Sequence, residues 1–147
     1  MSKVLVKFAA QKKTYPVDSA DVVTGWLPGQ VFTLKADGES IQIANVNDAM
    51  FVAVDDDDEL STPPTGSLAT VVFGSGTEIL INHAEEVAAS DAARAYASEV
   101  ESASAGASLY VSTAGKWQTT ATGSVAAKLS QIPSAANNYE MGLMLRF

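Results

Sequence analysis

Hydrophobic positions along this chain come in short bursts rather than long periodic tracts. Val31-Phe32-Thr33-Leu34, Ile41-Gln42-Ile43-Ala44 and Met50-Phe51-Val52-Ala53-Val54 are β-branched and aromatic runs. Turn residues separate them: Pro28-Gly29 before the first, Asp37-Gly38 after it, and Asn45 to Asp48 before the third. Short runs between Gly and Asx turns predict an antiparallel meander. Val4-Leu5-Val6-Lys7-Phe8 reads as an opening strand that only partly alternates, with a break at Tyr15-Pro16 and a connector from Asp18 to Thr24. Ser67 to Phe73 and Glu78 to Ile81 add strands on either side of Gly74-Ser75-Gly76. Past Gly106 the same pattern returns in Leu109-Tyr110-Val111, Lys116 to Thr122, Val125 to Leu129 and Met141 to Phe147.

One segment departs from this rhythm. From His83 to about Ser102 the residues are strong helix formers, with Asn82 as an N-cap and Glu85 three positions on. Ala84, Ala88, Ala92, Tyr96 and Val100 fall on one stripe at helical spacing. The stripe is narrow and mostly alanine, so such a helix could lie close on a sheet while burying little. The expected fold is therefore mainly β (α+β): an antiparallel β-barrel or sandwich with one helix, about 83–102, packed on it. With 147 residues the chain fits one β-rich domain, 17–147, preceded by a basic N-terminal arm or edge strand at 1–16.

Composition narrows the chemistry. There is no cysteine and one histidine, His83. Disulfides, thiolate metal sites and cysteine nucleophiles are excluded, and no multi-histidine metal site can form within one protomer. The longest apolar runs, such as Ala49 to Val54, are too short to span a bilayer. The N-terminus has no signal-peptide pattern, so a cytoplasmic origin is expected. Charge is unevenly distributed. Lys3, Lys7, Lys12 and Lys13 precede the first acid, Asp18, so residues 1–16 carry four positive charges. The remainder holds five basic and 17 acidic residues, a balance of −12. An acidic body repels phosphates, which disfavours nucleic acid as a partner.

The candidate sites are weak as chemistry. Asp55-Asp56-Asp57-Asp58-Glu59 lacks the alternation and central Gly of an EF-hand loop, and consecutive carboxylates diverge, so a solvated loop is the favoured reading. His83 has no nucleophile elbow to serve, and Gly74-Ser75-Gly76 lacks the Lys-Ser/Thr of a phosphate-binding loop. No catalytic residue, metal or cofactor is expected. Trp26, Trp117, Tyr110 and Tyr139 lie in or beside strands and turns, where packing in the core or at a subunit interface is the favoured role. Met141 to Phe147 is apolar to its end, which demands either a central place in a sheet or a covering partner.

The block from Gly106 to Ala126 combines Leu109-Tyr110-Val111-Ser112, a Gly115-Lys116 hairpin turn, the Thr-rich Thr119 to Thr122 and the step Thr122-Gly123 before Val125-Ala126. With the Pro28-Gly29-Gln30 segment, this resembles the capsid decoration (cement) proteins of tailed-phage heads over about half the chain. The resemblance implies a non-enzymatic virion structural protein, made in the host cytoplasm and bound to the outer capsid surface. Its partners would be the major capsid protein and itself, often as a homotrimer, with neither nucleic acid nor membrane involved. Contacts to the capsid or sister subunits are expected at Lys3, Lys7, Phe8, Lys12, Lys13, Tyr15, Trp26, Trp117, Tyr139 and Phe147. The alternative is a carbohydrate- or receptor-binding β module of a phage tail or surface protein, using Trp26, Trp117 and Tyr139. A hydrolase with paired carboxylates at Asp55 to Glu59 and Glu78 is the third reading, with no defined spacing to support it.

Overall fold

Alternation along each strand decides which core it joins. The structure, a computed structural model, describes residues 3–43, 50–53, 68–82 and 94–146. Its strands are β1 (Lys3–Phe8), β2 (Gln11–Pro16), β3 (Val31–Leu34), β4 (Ile41–Ile43), β5 (Met50–Ala53), β6 (Leu68–Phe73), β7 (Glu78–Asn82), β8 (Ser108–Val111), β9 (Trp117–Gln118), β10 (Ala127–Gln131) and β11 (Met141–Leu145). A single short helix, α1 (Ser19–Thr24), and 3₁₀ turns at Ser98–Ser102 and Ala135–Asn137 complete the described elements. Six strands form one sheet in the order β1-β7-β11-β10-β8-β9, and five form another in the order β2-β6-β5-β3-β4. The mainly-β expectation holds as an open sandwich of two antiparallel sheets.

Val31, Val52 and Val72 stand side by side across β3, β5 and β6. They pack against Ile79 and Ile81 of β7, Leu109 and Val111 of β8, Leu129 of β10 and Leu143 and Leu145 of β11, forming the core between the sheets. The intervening residues of the five-stranded sheet point the other way. Phe32, Phe51, Ala69 and Val71 join Val17, Trp26 and Ile41 in a second core. Trp26 meets Phe32 edge-on at 5.7 Å, and Phe51 meets Phe73 edge-on at 4.8 Å, arrangements that aromatic quadrupoles favour. After β2, Val17 bridges to Ile41 of β4, and the Asp18 N–H donates to the Ile41 carbonyl at 2.8 Å. The five-stranded sheet thus curls around its aromatic core without closing into a barrel.

Gly115 stitches the two sheets together. Its carbonyl accepts the Val31 N–H at 2.8 Å, and a Cβ there would sit 2.6 Å from the Val31 carbonyl oxygen. With φ at +72°, only glycine meets both demands. Trp117, fully buried two residues on, donates its indole N–H to the Gly29 carbonyl at 3.0 Å. The turn residues Pro28-Gly29 and Gly115 are thereby brought into one buried junction.

Three expectations need narrowing or correction. Residues 1–16, expected as a basic arm or an edge strand, take the edge-strand form from Lys3 on: β1 and β2 each lie at one edge of a different sheet. Gln11-Lys12-Lys13-Thr14-Tyr15-Pro16 has no apolar alternation, yet it pairs with β6 from Gln11↔Phe73 to Pro16↔Leu68. An edge strand needs only one paired side, so a lysine-rich sequence ending in proline is tolerated there.

The helix expected over 83–102 is also not helical where it is described, from residue 94 onward. Tyr96 bridges Trp117, the Trp117 N–H donates to the Ala95 carbonyl at 2.9 Å, and Ser98–Ser102 is a 3₁₀ turn. Ala95, Tyr96 and Val100 are all buried in the core, and that pairing overrides the helix propensity of an alanine-rich stretch. Asn82, expected as an N-cap, is the last residue of β7, while 83–93 lie outside the described residues. The third correction is smaller: Asp18 to Thr24, expected as a connector, contains α1, whose Val22 packs on the second core.

Met141 to Leu145 resolves its own alternatives. β11 lies between β7 and β10, at the centre of the six-stranded sheet. That position accounts for the apolarity of Met141, Leu143 and Leu145, which are fully buried; Met144 remains 41% exposed. Gly142 permits the close approach, because a Cβ there would lie 2.7 Å from Ser130 Oγ, 2.9 Å from Gln131 Cβ and 3.0 Å from Leu80 Cδ2.

Candidate protein-binding face

Strand β1 pairs with β7 in the register Leu5↔Leu80 and Val6↔Ile79, and β7 continues to β11 as Leu80↔Gly142 and Glu78↔Met144. Ile79 is buried between the sheets, so Leu5, Leu80 and Met144 belong to the opposite, outward face. A bulge between Val6 and Phe8 inserts Lys7, and Phe8 comes opposite Glu78 on that same outward face. Leu5, Phe8 and Met144 are 56%, 59% and 41% exposed. They share the outward face of β1, β7 and β11 with half-buried Leu80, and Glu78 stands between Phe8 and Met144.

The basic side chain of Lys7 lies on this face. Lys7 Nζ lies 3.7 Å from Glu78 Oε1, with both side chains partly solvated. The Ala10 N–H donates to Thr77 Oγ1 at 3.0 Å, fixing the corner where the chain leaves β1 for β2. Lys12 and Lys13 follow on β2 of the other sheet, opposite Val72 and Val71; both are exposed, and Lys13 Nζ sits 4.6 Å from the Tyr15 ring centroid on the side of the second core. Tyr15 is half-buried, 5.1 Å from Phe51, so only part of its ring faces solvent. Lys3 begins β1; its backbone pairs with Asn82.

The aromatic contacts expected elsewhere are not on this face. Trp26 and Trp117 are buried core residues, and neither presents a ring to a neighbour. Tyr139 is half-buried beneath the Arg94 guanidinium, 4.1 Å from its ring centroid, while Arg94 also lies 3.5 Å from Glu101. It is part of an internal stack. Phe147, His83 and Asp55 to Glu59 lie outside the described residues. Leu5 and Met144 went unnoticed among the sequence candidates. Val4 and Val6 alternate with Leu5 and Lys7, but which of the two faces is outward follows only from the sheet order and register.

Carboxylates with altered acidity lie away from this face. Asp37 accepts from the Ser40 hydroxyl at 2.7 Å and from the Glu39 and Ser40 N–H groups at 2.8 and 3.0 Å, which lowers its pKa to about 2. Glu99 takes the Thr120 N–H at 3.0 Å, the Thr120 hydroxyl at 2.9 Å and the Thr119 N–H at 2.9 Å, and its pKa is lowered chiefly by Thr120. Asp18 and Lys35 form a hydrogen-bonded ion pair that lowers one pKa and raises the other. Each of these tethers a turn or loop. Among the described residues no three His, Cys, Asp or Glu side chains cluster so as to hold a metal ion, and no helix is long and apolar enough to cross a membrane.

The outward face of this sheet thus leaves three apolar side chains exposed, with Lys7 and Glu78 beside them. Comparison of the chain with protein-family models, with curated proteins and with solved structures finds no match.

Proposed function

We propose that this protein is a structural subunit of a tailed-phage virion, a decoration protein that binds the outer surface of the head and bridges major capsid proteins. The observation that carries the reading is that Leu5, Phe8 and Met144 stay exposed on the outward face of the six-stranded sheet, with Lys7 and Glu78 among them. Exposed apolar residues rimmed by polar ones mark interaction surfaces. The sequence resemblance over Gly106 to Ala126 and Pro28-Gly29-Gln30 supplies the kind of assembly, and a homotrimeric state comes from the same source. A carbohydrate-binding reading is less well supported, because Trp26 and Trp117 are buried and Tyr139 is stacked on Arg94.

The test is cosedimentation of the purified chain with undecorated heads, together with its mass in free solution. Saturable pelleting with heads and a mass near three times 15.3 kDa are expected. A chain that stays in the supernatant with every undecorated head lattice tried would overturn the reading. Deleting residues 1–16 is a poor test, since it removes two edge strands along with the contact surface.

A further inference from the structure

Asp37 and Gly38 form the one Asp-Gly pair in the sequence, which contains no Asn-Gly pair. The pair sits at the tip of the hairpin between β3 and β4. The Lys35 N–H donates to the Ser40 carbonyl at 2.8 Å and the Gly38 N–H to the Lys35 carbonyl at 3.0 Å, closing a loop from Ala36 to Glu39 around a β-turn. Asp37 and Gly38 are both exposed, and nothing lies within 4 Å of the place a Gly38 Cβ would take. Water therefore reaches this peptide bond.

An Asp-Gly pair carries its own chemistry. The Gly nitrogen can attack Cγ of the preceding carboxyl group. An N–Cγ bond forms, the Cγ–OH bond breaks, the nitrogen's proton goes to the departing hydroxyl and water leaves, giving a cyclic imide. Water then opens the ring at either carbonyl. One opening restores Asp; the other routes the main chain through Cβ and Cγ, an isoaspartate with one extra backbone carbon. Water is the only co-reactant, and Gly presents no Cβ to hinder the attack.

The hydrogen bonds of this turn oppose that reaction. Asp37 Oδ1 accepts the Glu39 N–H at 2.8 Å and the Ser40 N–H at 3.0 Å, and Oδ2 accepts the Ser40 hydroxyl at 2.7 Å. Both oxygens are thus drawn toward residues beyond Gly38, while the Gly38 N–H is engaged by Lys35. The same bonds hold the carboxyl as its anion, whereas ring closure with loss of water needs the protonated form. Unfolding removes all of these restraints together.

We propose that Asp37 is the covalent ageing site of this protein: isoaspartate forms there at a rate set by release of the Asp37 carboxylate from Ser40, and the folded hairpin suppresses it. The consequence for the fold is local. An extra backbone carbon between β3 and β4 disturbs the register Leu34↔Ile41, and Ile41 is fully buried in the second core.

The test incubates the full chain at neutral pH, below its unfolding transition. Cleavage after lysine and glutamate releases Ala36-Asp37-Gly38-Glu39, whose Asp and isoaspartate forms separate by reversed-phase chromatography. Four samples are compared: the folded parent, the parent unfolded in guanidinium chloride, Ser40→Ala and Ser40→Thr. Isoaspartate should accumulate fastest in the unfolded chain and slowest in the folded parent. Ser40→Ala should quicken it in the folded chain by about tenfold, the factor for one charge-assisted hydrogen bond. Ser40→Thr keeps the hydroxyl and should stay near the parent rate.

Equal rates in the folded and unfolded parent would overturn the proposal, as would equal rates in the folded parent and Ser40→Ala. Acceleration by Ser40→Thr to the level of Ser40→Ala would do the same, because the hydroxyl would then be irrelevant. Amide hydrogen exchange across β3 and β4 separates the clamp from general loosening. Exchange should be unchanged in Ser40→Ala, and an increase matching the isoaspartate rate would assign the effect to loss of the hairpin and remove the role of Ser40.

Discussion

Strands β1 and β11 come from opposite ends of the chain and lie in one sheet with only β7 between them. Both are apolar, and their sequences leave different questions open. Met141-Gly142-Leu143-Met144-Leu145 demands either a central place or a covering partner, whereas Val4-Leu5-Val6-Lys7-Phe8 reads as an opening strand in a basic arm or edge strand. The fold answers both. β11 is flanked by β7 and β10 and buries Met141, Leu143 and Leu145, leaving only Met144 partly exposed, while β1 lies at an edge and keeps Leu5 and Phe8 in solvent. Hydrophobicity of a strand says little about partners until its place in the sheet is known. What matters is the apolar residue that remains outward at an edge.

The comparison can be broken most severely in β11. Leu143 is fully buried, opposite Leu129 and Ile79, so Leu143→Ala should cost about 2–5 kcal/mol. Chemical denaturation with an unchanged slope would measure it, and a cost below 1 kcal/mol would mean that β11 is not central. Gly142→Ala is the next largest. The added methyl meets Ser130, Gln131 and Leu80, and overpacking of this kind costs about 1–3 kcal/mol. A drop in melting temperature checks it, and an unchanged melting temperature would mean that the neighbours of Gly142 give way freely.

Acid should act on neither strand but on the loops. Asp37 and Glu99 have folded pKa values below their unfolded ones, so their contribution is complete above the unfolded values and is lost as pH falls. For Asp37 the loss runs from about pH 4 down to about 2. Asp37→Asn should therefore lower the melting temperature at neutral pH and make little difference near pH 2. A difference that persists undiminished at pH 2 would assign the effect to the lost turn geometry rather than to the charge.

The smallest expected effect is the most informative about β1. Leu5→Ser and Phe8→Ser change exposed side chains, and each should alter stability by about 0.5 kcal/mol or less. A tenfold larger penalty would place both residues in a core, and the binding face would disappear with them.

Strand positions were largely legible because β-branched runs and Gly or Asx turns are local signals; Val31–Leu34, Ile41–Ile43 and Glu78–Asn82 stand close to where their sequences put them. What was not legible depends on neighbours. β2 has no alternation of its own and is a strand because β6 lies beside it. Tyr96 and Val100 carry helical spacing, but burial against Trp117 holds this stretch as a bridge and a 3₁₀ turn. For the candidate face, Lys7 and Phe8 could be read from charge and position, whereas Lys12 and Lys13, expected with them, lie on β2 of the other sheet. Leu5 and Met144 could not, because their exposure depends on sheet order and on the register that puts Glu78 opposite Met144. Trp26 and Trp117 show the converse: aromatics at turns look available, and the fold buries them at the junction of its two sheets.

The central claim is that the outward face of β1 is the working surface of this protein. Cosedimentation of the parent chain and the Leu5→Ser/Phe8→Ser variant with undecorated heads tests it most directly, at matched concentration and with both proteins shown to be folded. The account predicts that the parent pellets with heads and that the variant stays in solution. Equal pelleting of the two, or none by either, would contradict it.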